Sequence, residues 1–346
     1  MDAVRGFAIL TMLWGHLGIA IYHPVGRGHT GATLSGSPPL WAEVFGGVAP
    51  VFFVAVCGMM VAYGHARGRT GLRKQLLRMA ALVSLGAFID VVFWRIRPFT
   101  TVDILYSIGV CLPLCFLAMA GLPRWGRLLL ALLILGMTPI LQDLLGYADY
   151  PTELTLAGAP VMRVANQTSV LNHWLIDGWF PLAPWLGVAV LGTVIGERRL
   201  DSQRLLRTDW WLLGLAMVAL AVALLLGWPN AAYRSVLRLN AGGAFMPPDY
   251  GYLLASLGAL ILVTACFERL PRRAAWPLLV LGRTPLFVYL SHFVVVKVLA
   301  RLLGQRLSFA PAVGVLVVAM TILVVAALVW VRLRDEVARR FRAAVS

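Results

Sequence analysis

Apolar segments of about 20 residues alternate with short polar segments along almost the entire chain. A helix needs about 20 predominantly apolar residues to cross the hydrocarbon core of a bilayer, so this pattern indicates membrane-spanning helices. We predict an all-α polytopic membrane protein with about ten transmembrane helices. The predicted spans cover residues 4–22, 42–64, 77–95, 103–121, 127–145, 180–196, 210–228, 250–267, 284–303 and 311–332.

The composition excludes a soluble protein. Of the 346 residues, 60% are hydrophobic and only 13% are charged. Soluble domains carry about 25% charged residues, so a large soluble helical core would lack the polar surface that it needs. The sequence contains no internal repeat and no low-complexity tract. We therefore predict a single transmembrane domain that covers residues 1–346.

The net charge of +15 reflects arginines that cluster in short loops between the apolar segments. A basic soluble protein would suggest nucleic acid, but the chain has no platform of interleaved basic and aromatic residues, so we exclude that partner. Clusters of this kind are typical of membrane orientation. We expect them to contact anionic lipid headgroups.

Alternate loops differ in their charge. One set is rich in arginine and contains HARGRTGLRK, PRWGR, ERRLDSQRLLR, ERLPRRAA and the C-terminal tail. The other set is mostly longer and richer in glycine and proline, with Arg95 and Arg97 as a local exception. The positive-inside rule places both termini in the cytoplasm. Because arginine greatly outnumbers lysine, which is typical of a bacterium, we expect the bacterial cytoplasmic (inner) membrane.

The cysteines do not indicate a metal site. All four lie in apolar segments, and Cys111 and Cys115 are four residues apart on one helix face without a histidine or acidic residue beside them. Small buried side chains that pack in the core explain them better. We therefore predict no metal.

Ionisable residues inside a membrane span are costly, so each of them is a functional hypothesis. In the first span, Asp2 and Arg5 are three residues apart and can pair on one helix face. Arg5 and His16 are eleven residues apart, which is three turns plus about 20°, so they share a face at a separation of about 16 Å. The alternatives are that Arg5 only directs topology and that His16 only bonds another helix.

Further polar candidates follow along the chain. His23 and His29 lie in a glycine-rich loop that either folds inward or is simply solvated. Asp103 begins the fourth predicted span, where an acid is favourable at a helix N-terminus without any function. Asp90 lies deeper, and an ion pair with Arg95 is one explanation for it.

Two later segments also carry polar or helix-breaking residues. Pro181 and Pro184 interrupt the helix where it enters the membrane, which predicts a re-entrant elbow. Arg283 precedes the ninth span, in which Tyr289 and His292 share a face at a spacing of three residues. Core packing with one hydrogen bond is the alternative for these last two.

Several of these segments carry a resemblance to a known family. The first span, with Asp2, Arg5-Gly6 and His16, resembles that of the heparan-α-glucosaminide N-acetyltransferase catalytic-domain family, part of the wider transmembrane acyltransferase group. The likeness continues in order over nearly the whole chain, in the segments APVFFVAVCGMMVA, DILYSIGV, PLAPWLGVAVLGTVIG and LGRTPLFVYLSH.

The resemblance implies a membrane acyltransferase that moves an acyl group, expected to be acetyl, from cytoplasmic acyl-CoA to a sugar or glycan on the outer face. Acetyl-CoA is then the donor substrate, and no metal is implied. In the lysosomal branch of the family a histidine of the first outer loop carries the reaction, and His23 or His29 matches it here. Glu43 is nearest to the acid that precedes the second span.

The residue chemistry agrees with this reading. A thioester is already activated, so the enzyme mainly needs a base and a positioned acceptor. Imidazole titrates near neutral pH and can accept a proton or form an acyl-histidine. We expect His16, His29 and His292 as catalytic candidates in that order, with Tyr289 supporting His292.

The remaining candidates bind or support the substrates. We expect Arg5 and Arg283 to bind the phosphates of coenzyme A, and Asp2 and Asp103 to act as supporting residues. The assembly state stays open, with a homodimer as one alternative. A transporter or a flippase for a lipid-linked sugar is the main rival function, because the same buried polar residues could serve passage rather than chemistry.

Overall fold

A computed structural model describes residues 1–18, 20, 45–147, 153–161, 168–202, 208–227, 248, 250–303, 307 and 309–345. Over these ranges the chain is almost entirely helical, with isolated β bridges that include Ile96 with Thr155 and Leu154 with Pro160. The all-α prediction is therefore confirmed.

The helices are numbered α1 to α12 in chain order. They are α1 Asp2–Leu17, α2 Ala49–Ala66, α3 Leu72–Ile89, α4 Ile104–Gly121, α5 Arg124–Leu145, the single turn α6 Val170–Asn172, α7 Leu182–Ser202, α8 Thr208–Gly227, α9 Tyr250–Arg269, α10 Trp276–Arg283, α11 Pro285–Leu303 and α12 Phe309–Val345. Two π-helical turns lie fully within the described ranges, the first at Asp90–Trp94 after α3 and the second at His173–Asp177 after α6.

Seven helices in the described part of the chain are long and apolar enough to cross a membrane. The count is eight if the segments Val170–Asp177 and Leu182–Asp201, which meet at a bend of 43°, form one broken span. Each of the ten predicted spans overlaps a helix, and α1, with 16 residues, is the shortest of these ten helices in the described part of the chain. The polytopic membrane fold is thus confirmed, whereas the count of ten and the side of the termini stay predictions.

The chain divides into two compact units. The first contains residues 1–49 and 266–346, and the second contains residues 50–265. The prediction of a single domain over the whole chain stays a prediction.

In the first unit, α1 packs directly on α10 through two glycines. A Cβ atom at Gly6 would collide with the backbone of Leu278, and one at Gly282 would collide with the backbone of Asp2. Such close approach of backbones is how small residues hold membrane helices together without a hydrophobic driving force. The next helix, α11, follows α10 immediately and also contacts α1.

In the second unit, α2 and α7 meet in the same way. A Cβ atom at Gly58 would collide with the carbonyl of Ala189, and one at Gly192 would collide with the carbonyl of Ala55. The break in the backbone at Ala183, just inside the start of α7, lies where Pro181 and Pro184 predict an elbow. This bend joins α7 to the second π turn.

Candidate active site

The first unit contains two groups of polar side chains where α1 faces α10 and α11. Near the N-terminus of α1, Arg5 pairs with Asp2 at 3.1 Å, as the sequence predicts, and also donates to the carbonyl of Gly282 at 3.2 Å. The Arg5 side chain is 20% exposed and the Asp2 side chain 40%. The Arg5 guanidinium is therefore held by two hydrogen bonds and is still partly exposed, which suits a group that binds an anion.

At the other end of α1, His16 contacts His292 of α11. Their ring centroids lie 4.9 Å apart, and the ring of Phe293 lies 5.9 Å from that of His16. Arg5 and His16 therefore both face the segment formed by α10 and α11, as expected for residues on one helix face. Two of the three histidines predicted to be catalytic are neighbours in the structure.

The environment of His292 fixes which of its nitrogens carries the proton. Its Nδ1 contacts the carbonyl oxygen of Tyr289. Because a carbonyl only accepts hydrogen bonds, Nδ1 must be the protonated nitrogen, and Nε2 keeps its lone pair. The residue is completely buried, and its Nε2 has no hydrogen-bond partner in the described part of the chain.

Aromatic rings enclose this pair. The ring of Tyr289 packs edge-on against His292 with centroids 5.3 Å apart, and Phe293 packs against both of them. The Nδ1 atom of His16 is buried and has no hydrogen-bond partner among the residues that the structure describes. The arrangement leaves unpaired imidazole nitrogens in an apolar setting, where they can accept a proton or attack a carbonyl.

The other predicted residues lie elsewhere. Arg283 follows Gly282 at the end of α10 and has an exposed side chain. His23, His29 and Glu43 lie outside the described residues. Asp103 belongs to the second unit, where it caps α4 by accepting from its own following backbone N–H at Ile104, at 2.6 Å. The structure thus explains Asp103 as a helix cap.

The second unit has a polar cluster of its own that sequence reasoning only partly anticipated. Asp90, in the first π turn, is 1% exposed and accepts a hydrogen bond from the Tyr106 hydroxyl at 2.6 Å. The ion pair with Arg95 that was one explanation for Asp90 does not form; the Arg95 side chain is exposed, and the backbone there turns through a left-handed conformation with φ 58°.

The remaining members of this cluster were missed. His173 and Asp177, at the two ends of the second π turn, are 2% and 0% exposed, and Gln142 of α5 is 1% exposed. Asp177 accepts from the hydroxyl of Thr168 at 2.6 Å. The available signal was a histidine and an aspartate four residues apart directly before the proline elbow, which places both on one side of a helical turn.

No group of three or more residues suited to hold a metal ion occurs in the described ranges. The cysteines Cys111 and Cys115 are fully buried, as small packing residues would be.

Comparison with known proteins gives one match. The sequence profile described as heparan-alpha-glucosaminide N-acetyltransferase, catalytic, matches residues 1–233. The matched range contains α1 with Arg5 and His16, and in the second unit it contains both π turns. A search of curated proteins found no significant match.

Proposed function

Because the chain belongs to the heparan-α-glucosaminide N-acetyltransferase catalytic family of membrane acyltransferases, we propose that it transfers an acetyl group from cytoplasmic acyl-CoA to a sugar or glycan on the outer face of a bacterial inner membrane. The observation that carries this proposal is the contact between His16 and His292, two histidines of separate helices whose rings lie 4.9 Å apart.

In the proposed reaction, His16 takes the proton of the acceptor hydroxyl or amine as the acceptor attacks the thioester carbonyl. The carbon–sulfur bond then breaks, and the departing thiolate of coenzyme A takes a proton from the imidazolium. His292, which keeps a lone pair on Nε2, holds or relays that proton. In the alternative route, an imidazole nitrogen attacks the thioester first, and the acceptor then removes the acyl group from the histidine.

Two arginines near the N-terminus of α1 supply the donor site in this proposal. Arg5 is held by Asp2 and by the carbonyl of Gly282 but is partly exposed. Arg283 directly follows Gly282 at the end of α10. Guanidinium groups bind phosphates through short, charge-assisted hydrogen bonds, which the pyrophosphate and the 3′-phosphate of coenzyme A provide. His29 remains a second proposal for the catalytic histidine.

The deciding experiment uses purified protein, acetyl-CoA labelled in the acetyl group, and a thiol reagent. Thiol release that depends on added sugar supports the acyltransferase. Label that stays on the protein in the absence of sugar supports the acyl-histidine route. A transporter or flippase instead binds sugar without releasing thiol under any acceptor, and that result overturns the proposal.

The donor site has its own test. Replacing Arg5 or Arg283 with alanine should weaken acetyl-CoA binding by about 1.5–3 kcal/mol if each makes a charge-assisted hydrogen bond to phosphate. Equilibrium binding of labelled acetyl-CoA measures this directly. Arg340, an exposed arginine near the end of α12 that pairs with Glu336, provides the matched control. Unchanged affinity in both variants leaves Arg5 and Arg283 as topology signals only.

A further inference from the structure

The second π turn, His173–Asp177, contacts the backbone at Thr100 and the side chain of Gln142. The Nδ1 of His173 contacts the carbonyl of Thr100 at 2.5 Å. A carbonyl cannot donate, so Nδ1 carries the proton, and in the neutral imidazole Nε2 is a hydrogen-bond acceptor. That Nε2 is buried and has no donor within reach in the described part of the chain.

Gln142 is fixed in the same sense by the backbone of this turn. Its Nε2 donates to the carbonyl of Ile176 at 2.9 Å. The amide is therefore oriented with Oε1 pointing away from that bond, and Oε1 is likewise buried without a donor among the described residues. Two side chains, one in this turn and one bonded to it, thus present buried acceptors that no donor among the described residues satisfies.

Leaving a buried polar group without a partner costs about 1–3 kcal/mol, so native proteins rarely keep two such groups together unless something else bonds them. Both side chains are also held rigidly. The end of α5 is tied to the turn by Asn172, whose amide donates to the carbonyl of Leu145 at 2.9 Å. Neither side chain can turn its acceptor toward another donor without giving up the bond made by its own donor atom.

The surrounding backbone is strained where it faces this turn. Val102 is 1% exposed and has a φ of 57°, a left-handed conformation that β-branched residues strongly avoid. It persists because the backbone N–H groups of Trp179 and Phe180 donate to the carbonyls of Thr101 and Val102 at 2.8 and 3.0 Å. Strain of this kind and π-helical turns both concentrate at functional sites.

Aromatic rings complete the surroundings. The ring of Trp174 lies 5.6 Å from that of Tyr106, and its Nε1 donates to the carbonyl of Phe99 at 3.1 Å. Small-molecule sites typically combine such apolar and aromatic walls with a few placed polar groups. Here the placed groups are acceptors, so the matching ligand must bring O–H or N–H donors.

We propose that the second π turn and Gln142 form a binding site for the sugar acceptor, in which His173 Nε2 and Gln142 Oε1 accept hydrogen bonds from its hydroxyl or amine groups. The identification of the ligand as the acceptor rests on the proposed function, whereas the site itself rests on the two fixed acceptors. No group of three or more residues suited to a metal ion occurs here in the described part of the chain, and an anion fits poorly because acceptors repel it.

The test measures the binding of tritiated glucosamine and tritiated glucose to the full-length purified protein without acetyl-CoA. The informative variant is His173→Asn, because the asparagine amide can replace Nδ1 and keep the bond to Thr100 while removing the acceptor at Nε2. Gln142→Met is the second variant. His65→Asn is the control, since His65 is an exposed histidine elsewhere in the same unit.

We expect His173→Asn and Gln142→Met each to weaken binding of at least one sugar by about 3–10-fold, the loss of one neutral hydrogen bond. Acetyl-CoA binding and the thermal midpoint of His173→Asn should stay at wild-type values. The inference is overturned if neither sugar binds the wild-type protein saturably, or if His173→Asn binds both as the wild type does, in which case the acceptors only hold water.

The outcome separates this inference from the proposed function. Sugar binding that depends on His173, in a protein that never releases thiol from acetyl-CoA, keeps the site and rejects the acyltransferase. Thiol release that depends on sugar, with unchanged sugar affinity in both variants, keeps the acyltransferase and rejects the site.

Discussion

His16 and His292 are contacting imidazoles whose ring centroids lie 4.9 Å apart. The Nδ1 of His292 is committed to the Tyr289 carbonyl, so only its Nε2 is available for chemistry. The Nδ1 of His16 is also buried and has no hydrogen-bond partner among the described residues. Two contacting imidazoles with unpaired buried nitrogens suit proton transfer.

Replacing His16 with alanine should therefore lower turnover by at least about 10²-fold, the usual contribution of a general base, while acetyl-CoA affinity changes by no more than a few fold. Steady-state kinetics with equilibrium binding separates these effects. His292→Ala should also reduce turnover, because the pair is broken.

His29→Ala is the comparison that can contradict this assignment. If His16→Ala keeps near-normal turnover and His29→Ala abolishes it, the base lies in the loop after the first span, and His16 only packs or orients.

At the scale of the elements, Gly178 links the second π turn to the strained segment before α4. Its N–H donates to the His173 carbonyl at 2.9 Å, and a Cβ atom there would lie 3.0 Å from both the Thr101 carbonyl oxygen and the Val102 Cβ atom. No side chain fits without moving backbone. The spacing between these two segments therefore depends on a glycine at this position.

Gly178→Ala should destabilise the protein by about 1–3 kcal/mol, as overpacking of a tight contact does. The thermal denaturation midpoint in detergent measures this. Gly136→Ala is the matched control, because a Cβ atom at Gly136 meets nothing within 4 Å and the residue lies inside α5. That variant should be neutral or slightly more stable. Equal midpoints for both variants would contradict the steric argument.

The contact between α5 and α7 contains a buried arginine. Arg127 is 2% exposed, forms an ion pair with Glu197, and donates to the hydroxyl of Thr193 at 3.1 Å. Arg124, one turn earlier, pairs with Glu197 and Asp201, but its side chain is 30% exposed. The two arginines thus share an element and a partner and differ mainly in burial.

Removing the partner tests this difference. Glu197→Gln should lower stability by about 1–3 kcal/mol or more, because it leaves the buried Arg127 guanidinium short of a counter-charge. Asp201→Asn should cost at most about 1 kcal/mol, as exposed pairs do. Thermal midpoints of the two variants give the comparison. A larger effect from Asp201→Asn would show that burial does not decide the strength of these pairs.

At the scale of the whole molecule, the direction of acyl transfer depends on topology. The alternation of arginine clusters predicts that both termini are cytoplasmic. Cysteines introduced at Gly28 and Ala241 should be labelled by a membrane-impermeant thiol reagent in intact cells, and those at Gly71 and Ser202 should be spared. A background without the four native cysteines provides the control. The reverse pattern would invert the topology and the proposed direction of transfer.

The sequence by itself determined the features that depend on local chain geometry. Apolar length predicted the spans, because a helix must satisfy its backbone within the bilayer. Helical periodicity placed Arg5 and His16 on one face of α1, and the spacing of Asp2 and Arg5 predicted their ion pair. Family motifs in α1 and the following segments predicted the acyltransferase family. None of these inferences required knowledge of which helices are neighbours.

Only the tertiary structure decided the contacts between residues that are distant in sequence. The crossing of α1 with α10 and α11, set by the close approach at Gly6 and Gly282, brings His292 against His16. His173 meets the Thr100 carbonyl across 73 positions of sequence, and this contact fixes its protonated nitrogen. The physical reason is that hydrogen-bond roles of imidazoles and amides follow from their partners, and helix packing alone determines which partners they meet.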